Sequence, residues 1–152
     1  MTARLAALPR FVSAVCIAGL ALACHSHQIS DGQPTAPRYL HVLIISLMSY
    51  DAQYKTFPAS LAALGPTQRG GISNADTANL VDATLASGVC FGYVFHYVPT
   101  KPTGKAKFVA FTITAEPVGS EASGRKHYFA DDTGVIRAEA DHTATAASRP
   151  ID

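Results

Sequence analysis

Charge is scarce in this chain. Only 15% of its 152 residues are Asp, Glu, Lys or Arg, and 12 basic side chains nearly cancel 11 acidic ones, leaving a formal net charge of +1. No strong field points toward nucleic acid or an acidic membrane, and nucleic acid is not expected as a partner. The length excludes two large domains and allows one domain with or without tails. A run of apolar residues long enough to cross a bilayer, about 20, is lacking at the N-terminus, where the uncharged stretch Phe11 to Ala23 is thirteen residues long. Ser60, Ser87 and Ser123 stand in no G-x-S-x-G elbow, and the triplet Asp132-Thr133-Gly134 occurs once, whereas two carboxylates must share a proton in aspartic-protease chemistry. What is plentiful is hydrophobicity, at 48% of residues, which excludes a wholly disordered chain.

The hydrophobic residues are unevenly spread. Arg4 and Arg10 precede the apolar stretch, and small residues follow it, the pattern of a secretory signal peptide over residues 1–23. Leu20-Ala21-Leu22-Ala23-Cys24 resembles the lipobox of bacterial lipoproteins, which implies acylation of Cys24 and a membrane partner reached through that lipid. Ala21-Leu22-Ala23 is also an ordinary A-x-A cleavage site, so an unmodified chain starting at Cys24 is the alternative. Either way the remaining chain has ten basic residues against eleven acidic. Cys16 leaves with the signal, so only Cys24 and Cys90 could pair in an oxidising compartment, and acylation of Cys24 would forbid even that.

Residues 24–37 are polar, with two prolines and a glycine, and read as a flexible tether. Leu40, Leu43, Ile44, Leu47 and Met48 then recur at helical spacing, which predicts a helix over 38–56 that Pro58 limits. Two short helical turns are expected at 59–64 and 78–86, stopped by Gly65 and Gly88. Beyond them the period changes to two. CFGYVFHYV, KFVAFTITA, RKHYFA and GVIRA predict four strands, joined through Pro99 to Gly104, Gly119 to Gly124, and Asp131 to Gly134. The expected fold class is α+β, an N-terminal helix packed on a four-stranded antiparallel meander over residues 38–138. The alanine-rich tail 139–152 is expected to be disordered.

Several local words accompany this order of elements. Tyr50-x3-Tyr54-x2-Phe57-Pro58-x-Ser60-Leu61-x2-Leu64-Gly65 is followed by Gly92-Tyr93-x-Phe95-x-Tyr97, by Thr112-Ile113-Thr114-Ala115-x-Pro117, and by Asp132-Thr133-Gly134-Val135-Ile136-Arg137. Together they resemble the globular part of type IV pilins and type II secretion pseudopilins, over residues 38 to 138. That family's prepilins carry a short basic leader ending in glycine, then a phenylalanine and a long apolar helix with a glutamate at its fifth position. Here a signal peptide and Cys24 stand in that place. The resemblance therefore implies a pilin-like head tethered to the envelope by lipid, non-enzymatic, with a protein partner in secretion or pilus-type machinery. The alternatives are a pseudopilin whose true start lies elsewhere, or a small periplasmic ligand-binding or enzymatic domain.

No catalytic residue, cofactor or metal site is nominated. Asp131 and Asp132, with Glu139 or Asp141, could supply hard oxygen ligands to calcium, but no loop spacing supports six, and a solvated acidic turn explains them. His25 and His27 lie in the tether, and His96 and His127 fall in strands as ordinary sheet histidines. Cys90 reads as a small buried hydrophobe. Lys101, Lys105 and Lys107 cluster at one hairpin, where lysines discourage edge pairing between molecules. Phe91, Tyr93, Phe95 and Tyr97 share one strand face, expected partly against the helix; left exposed, they would be the partner surface.

Overall fold

The computed structural model describes residues 36–68, 71–118 and 125–151. Helix α1 runs Ala36–Tyr54. Pro37 stands in its first turn, where a missing N–H costs nothing. Leu40, Leu43, Ile44, Leu47 and Tyr50 recur every three or four residues and are all buried. The chain leaves the helix through Lys55, whose φ of 60° turns it into the left-handed region, and Pro58 then prevents continuation. Residues 36 and 37, assigned above to the tether, thus open the helix.

Between α1 and the sheet lie a 3₁₀ turn, Leu61–Leu64, and a one-turn helix α2, Ala83–Ala86. Asp82 caps α2 by accepting from Leu85 N at 2.8 Å. The peptide N–H groups of Leu80 and Val81 both donate to Leu64 O, tying these short pieces together.

The sheet has six strands in chain order, every neighbouring pair antiparallel: β1 Val89–Cys90, β2 Tyr93–Thr100, β3 Ala110–Pro117, β4 His127–Asp131, β5 Ile136–Glu139 and β6 Arg149–Pro150. This overturns the expected four-stranded meander with its N-terminal helix; α1 is also the one helix of seven residues or more among the described residues. The two extra strands come from two separate causes. The strand expected to run unbroken from Cys90 to Val98 is cut at Phe91 and Gly92, whose φ values of 54° and 76° are those of a two-residue hairpin turn, so Cys90 pairs back onto Tyr93. The tail expected to be disordered returns to the sheet, where Arg149 pairs with Ala138 and Pro150 with Arg137.

Alternation along the strands sets two faces. Tyr93 and Phe95, Phe111, Ile113 and Ala115, Tyr128 and Ala130, and Ile136 point toward α1 and form the core with its buried stripe. Helix α1 lies across β3, β4 and β5. Ile113, Ala130 and Ile136 stand opposite one another in one row, so the small side chain sits between two large ones. Phe129 and Ala144 are also buried but outside this cluster, and Arg137 Nη1 donates to Ser148 O at 3.0 Å as the tail turns back. No helix among the described residues is long and apolar enough to cross a membrane.

Candidate functional site

Helix α1 has two apolar sides. The stripe Leu40, Leu43, Ile44, Leu47 is spent on the core, yet Val42, Ile45 and Met48 remain 39%, 66% and 37% exposed on the outward side. They are spaced by three residues and form one surface row, with Arg38 and His41 exposed toward its N-terminal end and Ser49 toward the other. This outward row takes no part in the core that the other side of α1 forms.

A second feature lies at the N-terminal end of the same helix. The ring of Phe91, half exposed at the tip of the β1–β2 turn, stacks on the ring of Tyr39 with centroids 4.2 Å apart and planes 7° from parallel. Phenylalanine is a poor residue at positive φ, a conformation that costs a side chain on the order of 1 kcal/mol and that asparagine or glycine would adopt more easily. The tip is braced on its other side. Val118 N donates to Gly92 O at 2.9 Å, and the Arg125 guanidinium lies 5.8 Å from the Tyr93 ring centre and donates to the carbonyls of Phe91 and Gly92 at 3.5 Å.

The four aromatics singled out from the sequence therefore do not make a common partner surface. Tyr93 and Phe95 are core residues, and Tyr93 Oη donates to Lys126 O. Tyr97 is half-buried, donating its hydroxyl to Pro58 O at 2.9 Å. Phe91 alone is presented outward, because the turn that begins at it breaks the strand alternation. Its partner Tyr39 carried no signal of its own. Gly92, a glycine inside an otherwise alternating run, could have marked the turn.

Cys24, the tether histidines and the connection 119–124 lie outside the described residues. Among the described residues no three His, Cys, Asp or Glu side chains converge as a metal site. Asp131 Oδ1 accepts from Thr133 N and from the Thr133 hydroxyl, while Gly134, at φ 79°, donates to Asp131 O, so the Asp-Thr-Gly triplet builds the β4–β5 turn. His127 pairs with Glu116 across adjacent strands, His142 Nε2 lies 3.9 Å from Glu139, and His96 is exposed. Lys105 and Lys107 are exposed, and Lys101 lies 5.6 Å from the Phe108 ring centre. Two shallow grooves flank the sheet, one beside Lys126, Glu139 and Arg149, the other beside Ser60, Ser87 and Tyr97.

No protein-family model, curated protein or solved structure matches this chain.

Cys90 is the free cysteine among the described residues and is buried. Burial, with a smaller push from Asp82, raises its thiol from an ordinary 9.0 to about 11, and burial raises Tyr93 to about 12. Tyr97 is raised too, again mainly by burial. The folded chain holds these protons more tightly than the unfolded one. The stability they carry is therefore intact below about pH 9 and is lost as pH rises through 11 and 12. Cys90 is expected to resist thiol reagents near neutral pH and to react at once after denaturation, with tyrosinate absorbance and unfolding rising together in the alkaline window. Rapid labelling of Cys90 itself in the folded chain at neutral pH, located by peptide mass, would refute this placement.

Proposed function

We propose that this chain is a non-enzymatic lipoprotein of the bacterial cell envelope, anchored through acylated Cys24. Its head resembles pilins and pseudopilins in its sequence words and acts by protein–protein contact in secretion or pilus-type machinery. The observation that carries the contact role is the outward row Val42, Ile45 and Met48 on α1. Helix α1 keeps an apolar side after its core side is satisfied. The lipobox-like words before Cys24 support the anchor.

Two measurements test the two halves. Intact mass of membrane-extracted protein, with and without inhibition of the lipoprotein signal peptidase, is expected to give a chain starting at Cys24 with diacylglycerol and fatty-acyl mass. An unmodified chain starting there would sink the anchor and make a Cys24 to Cys90 disulfide worth testing. For the contact role, a photo-crosslinker at Ile45 is expected to trap one defined envelope protein in cells, and one at Ile72, which is 88% exposed in the loop before α2, is not. Ile45→Glu should abolish the crosslinked function while shifting stability by no more than about 0.5 kcal/mol, since the side chain faces solvent. Equal trapping at both positions would refute the row as the contact surface.

A further inference from the structure

One end of the domain gathers features that the core does not require. The N-terminus of α1, the β1–β2 turn, the end of β3 and the start of β4 meet there, as the Tyr39–Phe91 stack, the Val118 to Gly92 hydrogen bond and the reach of Arg125 to the same turn establish. The side chains offered at this end are Phe91 and Val118, 52% and 39% exposed, with Tyr39 beneath the phenylalanine ring. Arg38, exposed, adjoins Tyr39 in α1, and the partly exposed Arg125 reaches the turn itself. An aromatic pair flanked by basic side chains is the chemistry that settles at the boundary between phospholipid headgroups and acyl chains. The turn that lifts Phe91 is strained at that residue and braced from two sides, so the ring is held out in place of a residue that the turn would accept more readily.

We propose that this end, through Phe91 and Tyr39, docks on the phospholipid surface that holds the Cys24 acyl chains. The inference rests on the lipid anchor of the proposed function and adds an orientation to it. What selects a bilayer as the occupant is the chain itself. Cys24 precedes the first helical residue, Ala36, by twelve positions, a stretch that spans at most about 40 Å. Ala36, the first described residue, lies one helical turn from Tyr39 at the end that carries the stack, so an anchor at Cys24 keeps the bilayer within that reach. The near-neutral chain supplies no long-range attraction of its own, and the tether replaces it with proximity. Docking there points the N-terminal end of α1 at the membrane and leaves Val42, Ile45 and Met48 along its flank for a protein partner.

The chain contains no tryptophan, so a single introduced one is an unambiguous reporter. The acylated full-length Phe91→Trp protein is placed in vesicles of phosphatidylethanolamine and phosphatidylglycerol, with and without acyl-brominated lipid. Its emission is expected to move to shorter wavelength and to be quenched by the brominated chains. Tyr39→Trp serves as the second reporter in case Phe91→Trp disturbs the turn. Ile72→Trp is the control, in a loop that Tyr50, three turns further along α1, holds by donating to Ala75 O, and its emission is expected to stay unchanged. Unshifted, unquenched emission from both reporters, in protein whose intact mass carries the acyl groups, overturns the docking and leaves the anchor standing. Protein whose mass lacks the acyl groups overturns the anchor, and the docking falls with it. Equal quenching at Ile72→Trp means a head lying on the bilayer without preference, which also refutes the proposal.

Discussion

Phe111→Ala is expected to lower the unfolding free energy by about 3–5 kcal/mol, the range for removing a fully enclosed aromatic ring from a core. Phe111 is 1% exposed in the middle of the sheet's inner face. Its ring meets Phe57 edge-on at 5.0 Å and Tyr97 at 6.1 Å, so it joins the segment after α1 to β2 and β3 at one point. The partners cannot close the gap, because each is held elsewhere: Tyr97 through its hydroxyl on Pro58 O, and Phe57 through its own N–H on Phe108 O at 3.1 Å. Urea unfolding followed by far-ultraviolet circular dichroism should show the midpoint falling by about 2 M with little change in slope. A loss below about 1 kcal/mol would mean that the ring is not enclosed as described.

Truncation after Glu139 is expected to cost roughly 2–4 kcal/mol, from lost apolar burial and hydrogen bonds. Removing a disordered tail would cost nothing, so the truncation decides between the two descriptions of residues 140–151. In the structure Ala144 is 1% exposed and Ser148 6% exposed, Ile151 packs against the core and its N–H donates to Ile136 O at 3.0 Å, and Arg137 holds Ser148 O. Cutting this segment away bares one edge of β5 and leaves the Arg137 guanidinium without that acceptor. An unchanged denaturation midpoint would return the tail to disorder.

Nothing in the order of residues 140–151 announces β6. A two-residue strand such as β6 contains no alternation to detect, and the residues that hold it, Ala144, Ser148 and Ile151, lie three or four apart without a common period. Their burial is decided by where β5 lies, which is a fact of the assembled sheet. The Phe91–Gly92 turn was missed for the opposite reason. Phe91 falls in phase with Tyr93, Phe95 and Tyr97, so a strand read across the turn looks continuous, and phenylalanine is not a residue that favours positive φ.

The helical spacing from Leu40 to Leu47 and the period-two runs at Phe95 to Val98 and Phe111 to Ala115 were visible in the amino-acid order, because burial of one face imposes a period on the chain itself, whereas Met48, read into the same stripe, lies on the outward side. The lipobox-like words at Cys24 are likewise a property of residue identity. Strand number, the split of α1 into a core side and an outward side, the outward turn of Phe91, and the pairing of Tyr39 with Phe91 came from packing. Each depends on which face meets which neighbour, and residues more than fifty positions apart, such as Tyr39 and Phe91, share no local pattern that could announce the meeting.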